Sequence, residues 1–195
     1  MTTPSPWRRV LVDELDALHP RLARYFAAIP EGGVGRGFGV FDVVGSPRRG
    51  LRPVLALLGR MGVLFPVWGH GIPFRVENRP DGELLRARRV LELPTGERVM
   101  VDAIGVEGGV LVDRLGRRGT VRAAFDAAVA DGALRLRSRA TSWRGIPIPF
   151  APTVTLVERF DDGMSRQHVS MTLDARFLGR LYEYSGYFDY AVGDA

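Results

Sequence analysis

Beyond Ile72 the apolar residues of this chain recur at every second position, the spacing of strands that bury one face. Residues 74–78, 84–93, 98–106 and 110–115 repeat this pattern. Pro80-Asp81-Gly82, Pro94-Thr95-Gly96 and Gly108-Gly109 separate them and read as hairpin turns. Residues 120–130 have the alanine content of a helix. Val121, Ala123, Phe125, Ala127 and Val129 nevertheless alternate, and Asp131-Gly132 leads into Leu134-Arg135-Leu136-Arg137, so strand–turn–strand is expected. Residues 153–160 and 167–173 make a further hairpin across Asp161-Asp162-Gly163, and residues 184–192 close the chain.

Before Ile72 the period is helical. Leu11, Leu15, Leu18, Leu22 and Phe26 stand three or four apart, predicting an amphipathic helix over residues 10–28 that Pro20 kinks or divides and Pro30 ends. Residues 51–65 form a second helix with a wide apolar face, either buried against a sheet or lying at an interface, anchored by Trp68 and the arginines. Between the two, glycines 32, 33, 35, 37 and 39 lead into a strand over 38–44. They alternate, follow a helix and precede a strand, so they lack the strand-to-helix context of a dinucleotide-binding G-x-G-x-x-G. A β-entry loop is expected, its bare face closely approached by another group or sharply bent. Residues 1–8, rich in Pro, Thr and Ser at 2–6, are expected to be disordered.

About ten strands in meander order, with no βαβ spacing, imply an antiparallel sheet that curls or closes. The expected fold is therefore α+β: one domain over residues 1–195, with a large curved, mostly antiparallel sheet or partly closed, calyx-like barrel. Two or three helices cover or fill it.

Composition narrows the chemistry. The chain has no cysteine, which removes disulfides, thiolate nucleophiles and Cys-based metal sites. It has no lysine either, which removes Schiff-base chemistry and a P-loop. All 27 basic residues are arginine, interleaved along the sequence with 22 acids, and the net charge is only +5. The isoelectric point near 10.3 reflects arginine's refusal to titrate more than any concentrated basic face, so nucleic acid is not an expected partner. Arg52, Pro53, Arg60 and Pro66 interrupt the longest apolar stretch, so no membrane span is expected. The N-terminus shows no apolar signal segment, and a cytoplasmic location is expected.

In a strand with one buried face, a polar residue in the apolar row is the informative exception. Glu158 shares its row with Val154, Leu156 and Phe160. A carboxyl held there has its pKa raised by desolvation and suits a general acid or base, unless it pairs with Arg139 or Arg137 of a neighbouring strand. Asp102 lies similarly beside Met100 and Ile104, whereas Asp113 is read as a turn or edge residue. His70, between two glycines, faces a pocket or solvent; with Glu158 and Asp102 it completes the catalytic candidates. His19 is assigned a role at a helix end, and His168 to a solvent-facing row. No histidine spacing suggests a metal, and no cofactor is expected.

The ligand-binding candidates are Arg75, Arg139, Trp143, Tyr182, Tyr184 and Tyr187. Tyr182, Tyr184 and Tyr190 share one parity with Phe188, and Tyr187 has the other. Such an aromatic row either lines a ligand site or completes a core.

Several stretches resemble an uncharacterised bacterial family, domain of unknown function 4166. They include Leu18-His19-Pro20-Arg21-Leu22, Arg52-Pro53-Val54-Leu55-Ala56-Leu57-Leu58-Gly59 and Pro73-Phe74-Arg75-Val76-Glu77-Asn78-Arg79. Val112-Asp113-Arg114-Leu115-Gly116, Asp131-Gly132-Ala133-Leu134 and Leu178-Gly179-Arg180-Leu181-Tyr182-Glu183-Tyr184-Ser185-Gly186 extend the resemblance across nearly the whole chain. The family also occurs attached to NAD(P)-dependent reductase-like domains, which implies a reductase partner acting in trans. It transfers no catalytic residues.

The expected function is a cup for a hydrophobic small molecule, with cofactor-independent cyclase or isomerase chemistry. Glu158 or Asp102 would move the proton, and Arg75 and Arg139 would stabilise negative charge. The alternative is a non-catalytic lipid-binding or partner module, forming a homodimer or working with a reductase.

Overall fold

A computed structural model describes residues 4–194. The alternating segments all become strands: β1 (Gly33–Gly45), β2 (Trp68–Asp81), β3 (Leu84–Leu93), β4 (Gly96–Glu107), β5 (Val110–Leu115) and β6 (Val121–Ala130). They continue as β7 (Ala133–Trp143), the two-residue β8 (Ile146–Pro147), β9 (Thr153–Asp161), β10 (Arg166–Ala175) and β11 (Gly179–Asp194). Each strand pairs antiparallel with its chain neighbour, except that β9 pairs with β7 while β8 caps the end of β7. β1 pairs with β11, and β6 with β7, so ten strands form a fully closed barrel. Closure leaves no long edge to template aggregation.

The glycine run is the largest departure from the sequence reading. It is not an entry loop but the first half of β1. Gly35, Gly37 and Gly39 present a bare face inward, filled by the rings of Tyr190 and Phe188 from β11. The close approach anticipated for alternating glycines is therefore made by the chain's own aromatics.

Ten strands enclose more space than eight, and side chains and helices fill it. The predicted N-terminal helix divides at Pro20. α1 (Pro6–Leu11), a 3₁₀ turn over Val12–Ala17 and α2 (Pro20–Phe26) cap one end of the barrel. Trp7, Leu11, Leu15, Leu18, Leu22 and Phe26 pack there on Ile104, Leu111, Phe125 and Leu134. Leu22 and Phe26 are wholly buried, each contributing about 1.5–3 kcal/mol of apolar transfer.

Disorder over residues 1–8 is corrected from Pro4 onward; residues 1–3 lie outside the described residues. Ser5 is buried, caps the Arg8 N–H at 3.3 Å and donates its hydroxyl to the Phe26 carbonyl at 2.7 Å. One side chain thus satisfies a helix start and ties it to the end of the next helix. His19 is not a C-terminal dipole partner, because the division at Pro20 makes it the N-cap of α2.

The second predicted helix is shorter than expected. A 3₁₀ turn (Arg49–Leu51) runs into α3 (Arg52–Arg60), and residues 61–67 continue as irregular chain. Leu55 and Phe65 insert into the other end of the barrel against Phe41, Phe74, Tyr182 and Tyr184. Val54 and Leu57 stay exposed on the outward side.

Candidate functional site

Opposed residues of an antiparallel ladder share a face, so the register identifies every inward side chain. The inward rows are mostly apolar and aromatic, with Phe41 stacked on Phe74 at 3.9 Å and Tyr25 of α2 edge-on to Tyr190 at 4.6 Å. Into this apolar interior the strands bring Arg89, Asp102, Asp113, Glu158, Gln167 and Asn78.

Glu158 faces Leu134 of β7 and Val169 of β10 and is 7% exposed. Neither Arg137 nor Arg139 reaches it, because both belong to the outward row of β7. Its partner is Gln167 on β10, whose amide nitrogen donates to the carboxylate at 2.6 Å. Desolvation pushes the Glu158 carboxyl up to about 7, opposed by the Gln167 hydrogen bond and by the charge of Arg89.

Asp102 points inward and forms an ion pair with Arg89 of β3. Burial opposes the charge on Arg89, but Asp102 together with Tyr184, Tyr25 and Asp113 more than offsets it and the guanidinium stays protonated. Burial likewise raises the Asp102 carboxyl, while Arg89 draws it down.

Asp113 corrects the sequence reading: it is neither turn nor edge. It sits inside the barrel on β5, opposite Ile104 and Ala123. Burial and the neighbouring charge of Asp102 push its carboxyl well above the usual range. Its Oδ1 has no hydrogen-bond partner among the described residues, nor does Oδ1 of Asn78, whose amide nitrogen donates to the Tyr190 hydroxyl at 3.2 Å. Buried acceptors left unpaired are costly, and both face the interior.

The aromatic wall divides as its parity requires. Tyr182 and Tyr184 are inward and buried, and burial raises both phenols. Tyr187 faces out beside His168, with ring centroids 4.8 Å apart. Trp143 is half-buried on the inward row of β7, at the α3 end of the barrel.

Three candidates do not join this cluster. His70 is on the outer wall, with Nδ1 3.0 Å from the Asp42 carbonyl and its ring against Trp68. Arg75 is exposed and pairs with Glu97 and Glu92. Arg139 is exposed beside Asp126, at 3.6 Å. Arg75 and Arg139 each lie one position from an inward residue, and that single step reverses the face. His70 shares the parity of Ile72 but is turned outward where β1 shifts register between Phe41 and Val43 and Gly71 takes a positive φ.

Arg89, Gln167, Asn78 and Tyr25 are interior groups the sequence reading missed. Arg89 had a visible signal, since it interrupts the row Leu85, Ala87, Leu91, Leu93 as Glu158 interrupts its own. Tyr25 had none, because its place depends on how α2 docks.

The larger concavities lie elsewhere. One of about 460 Å³ opens between Pro4–Pro6 and the turn at Asp81–Leu85, and one of about 610 Å³ lies over β3 and β4 among Arg79, Arg86 and Arg88. Asp102 contributes to the lining of the second, but neither is lined by Glu158, Arg89 or Asp113. No group of three or more potential metal ligands occurs among the described residues.

No curated protein and no solved structure matches the chain. One family model does, over residues 18–188. That span takes in α2, α3 and the strands as far as Phe188 of β11. The chain belongs to the family described as domain of unknown function (DUF4166).

Proposed function

We propose that the barrel interior receives a small, mainly apolar molecule and that Glu158 exchanges a proton with it, as in a cofactor-independent isomerase or cyclase. The observation that carries this reading is a buried carboxyl paired with a neutral amide, near half-protonation at neutral pH, where a general acid or base works best. Arg89 takes the charge-stabilising role expected of Arg75 and Arg139, since it alone of the three faces inward. The free acceptors of Asp113 and Asn78 would receive donors from the ligand. Glu158 is 7% exposed, so in this reading a ligand reaches it only when part of its surroundings moves.

Native mass spectrometry of freshly purified protein tests this reading. The expected result is a co-purified small molecule that Glu158→Gln retains but no longer converts. Protein free of any ligand, and unchanged in thermal midpoint across a panel of apolar metabolites, overturns it.

A second reading, a non-catalytic lipid-binding or partner module, draws on the aromatic packing of the interior. Ligand held without turnover by wild type and Glu158→Gln alike would favour it, as would retention on a separate NAD(P)-dependent reductase.

A further inference from the structure

In an up-and-down barrel the connections alternate between ends, and here this sorting separates the charges. The β1–β2, β3–β4, β5–β6, β7–β9 and β10–β11 connections share one end. Backbone bonds confirm the grouping: Arg117 N–H donates to the Met61 carbonyl, and Arg144 N–H to that of Thr120. Arg48 reaches the carbonyls of Leu178 and Arg180.

The β1–β2 connection, residues 46–67, carries Arg48, Arg49, Arg52 and Arg60 and no carboxylate. Residues 116–120 carry Arg117 and Arg118, residues 144–152 carry Arg144, and residues 176–178 carry Arg176, again with no acid. All eight arginines are exposed, and none has an acidic partner among the described residues. Glu92 and Glu97, which flank the β3–β4 turn, are taken up by Arg75. The opposite end mixes Arg8, Arg9, Arg21 and Arg24 with exposed Asp13, Glu14, Asp16, Glu83, Asp131 and Asp162.

The arginine-rich end also carries the most exposed apolar side chains. Phe150 is 92% and Phe177 86% exposed at the tips of two connections, joined by Ile146, Leu178, and Val54 and Leu57 on α3. Trp68 stands exposed at the rim, where β2 begins. Apolar tips within a ring of unpaired cations, with a tryptophan at the boundary, match an anionic lipid surface: rings enter the acyl boundary while guanidiniums meet head-group phosphates. A second copy of the chain fits poorly, because eight cations would face eight. A nucleic acid leaves the apolar tips without a role.

We infer that this end of the barrel docks on an anionic membrane surface, through Phe150 and Phe177 and the surrounding arginines.

Co-sedimentation of the full chain with vesicles tests it. Vesicles of phosphatidylcholine with about 30% phosphatidylserine should bind the protein and pure phosphatidylcholine should not, with binding falling as salt shortens the Debye length below ~10 Å. Neutralising Arg49 and Arg52 to glutamine should weaken binding by about five-fold per charge. Phe150→Ser with Phe177→Ser should weaken it further at unchanged thermal midpoint, whereas Arg21→Gln and Arg24→Gln at the other end should not. Absence of binding to the anionic vesicles overturns the inference. So does full binding by the double phenylalanine variant that an oligonucleotide competes away, because the surface would then be a simple polyanion site. Glu158→Gln should bind vesicles normally, which separates this result from that of the proposed chemistry.

Discussion

Glu158 and Gln167 lie on adjacent strands and meet inside the barrel at 2.6 Å, so an acid otherwise surrounded by apolar side chains has a neutral amide as its hydrogen-bonded partner. Burial holds the proton on Glu158 in the folded state beyond the pH at which an unfolded glutamate loses it, and the Gln167 amide, donating to the carboxylate, opposes this only in part.

The sign of the resulting pH dependence follows. The folded carboxyl titrates at about 7 against a usual 4.5, so the native state binds more protons between those values and stability falls as pH rises through that window. The shift corresponds to about 3 kcal/mol at most, lost progressively up to pH 7. Glu158→Gln keeps a hydrogen-bonding group and removes the titration. Urea midpoints at pH 5 and pH 8 should differ less in the variant than in wild type; equal differences would mean Glu158 is not raised.

Arg89 and Asp102 form the barrel's buried ion pair. Removing one partner strands the other, so Arg89→Met should cost about 3 kcal/mol in denaturant unfolding. Arg89→Met with Asp102→Leu should recover most of that loss. A double variant as unstable as the sum of the single changes would show that the pair is not the source of the cost.

At Gly35 an added Cβ would lie 1.5 Å from the Tyr190 hydroxyl. Gly35→Ala should therefore destabilise by about 1–3 kcal/mol through overpacking. Combining it with Tyr190→Ala should cost less than the two single changes together. Thermal midpoints of the four proteins decide this.

Ser5 joins the start of α1 to the end of α2 through two hydrogen bonds. Ser5→Ala should cost about 1–2 kcal/mol, from the lost cap and the unpaired Phe26 carbonyl. Hydrogen exchange should rise in residues 5–26 before it rises in the strands, since both lost hydrogen bonds lie within the helical cap.

The alternation of side chains is a property of each strand alone, so the sequence by itself determined the strands, the antiparallel order and the inward direction of Glu158, Asp102, Tyr182 and Tyr184. The same rule reaches Arg89 and Asp113, whose neighbours in the row are apolar. It also places Arg75 and Arg139 outside, since each is one step from an inward residue and the period is two. Only the tertiary structure decided that β1 meets β11 and that β9 passes β8 to pair with β7. Those pairings are between distant segments, and nothing in a local period selects the partner. The β9–β10 hairpin sets Gln167 rather than an arginine beside Glu158 and the β3–β4 hairpin brings Arg89 to Asp102, while closure lays Tyr190 over the glycines. It also gathers eight scattered arginines at one end, a polarity that evenly interleaved charges conceal because the chain visits that end only at alternate connections.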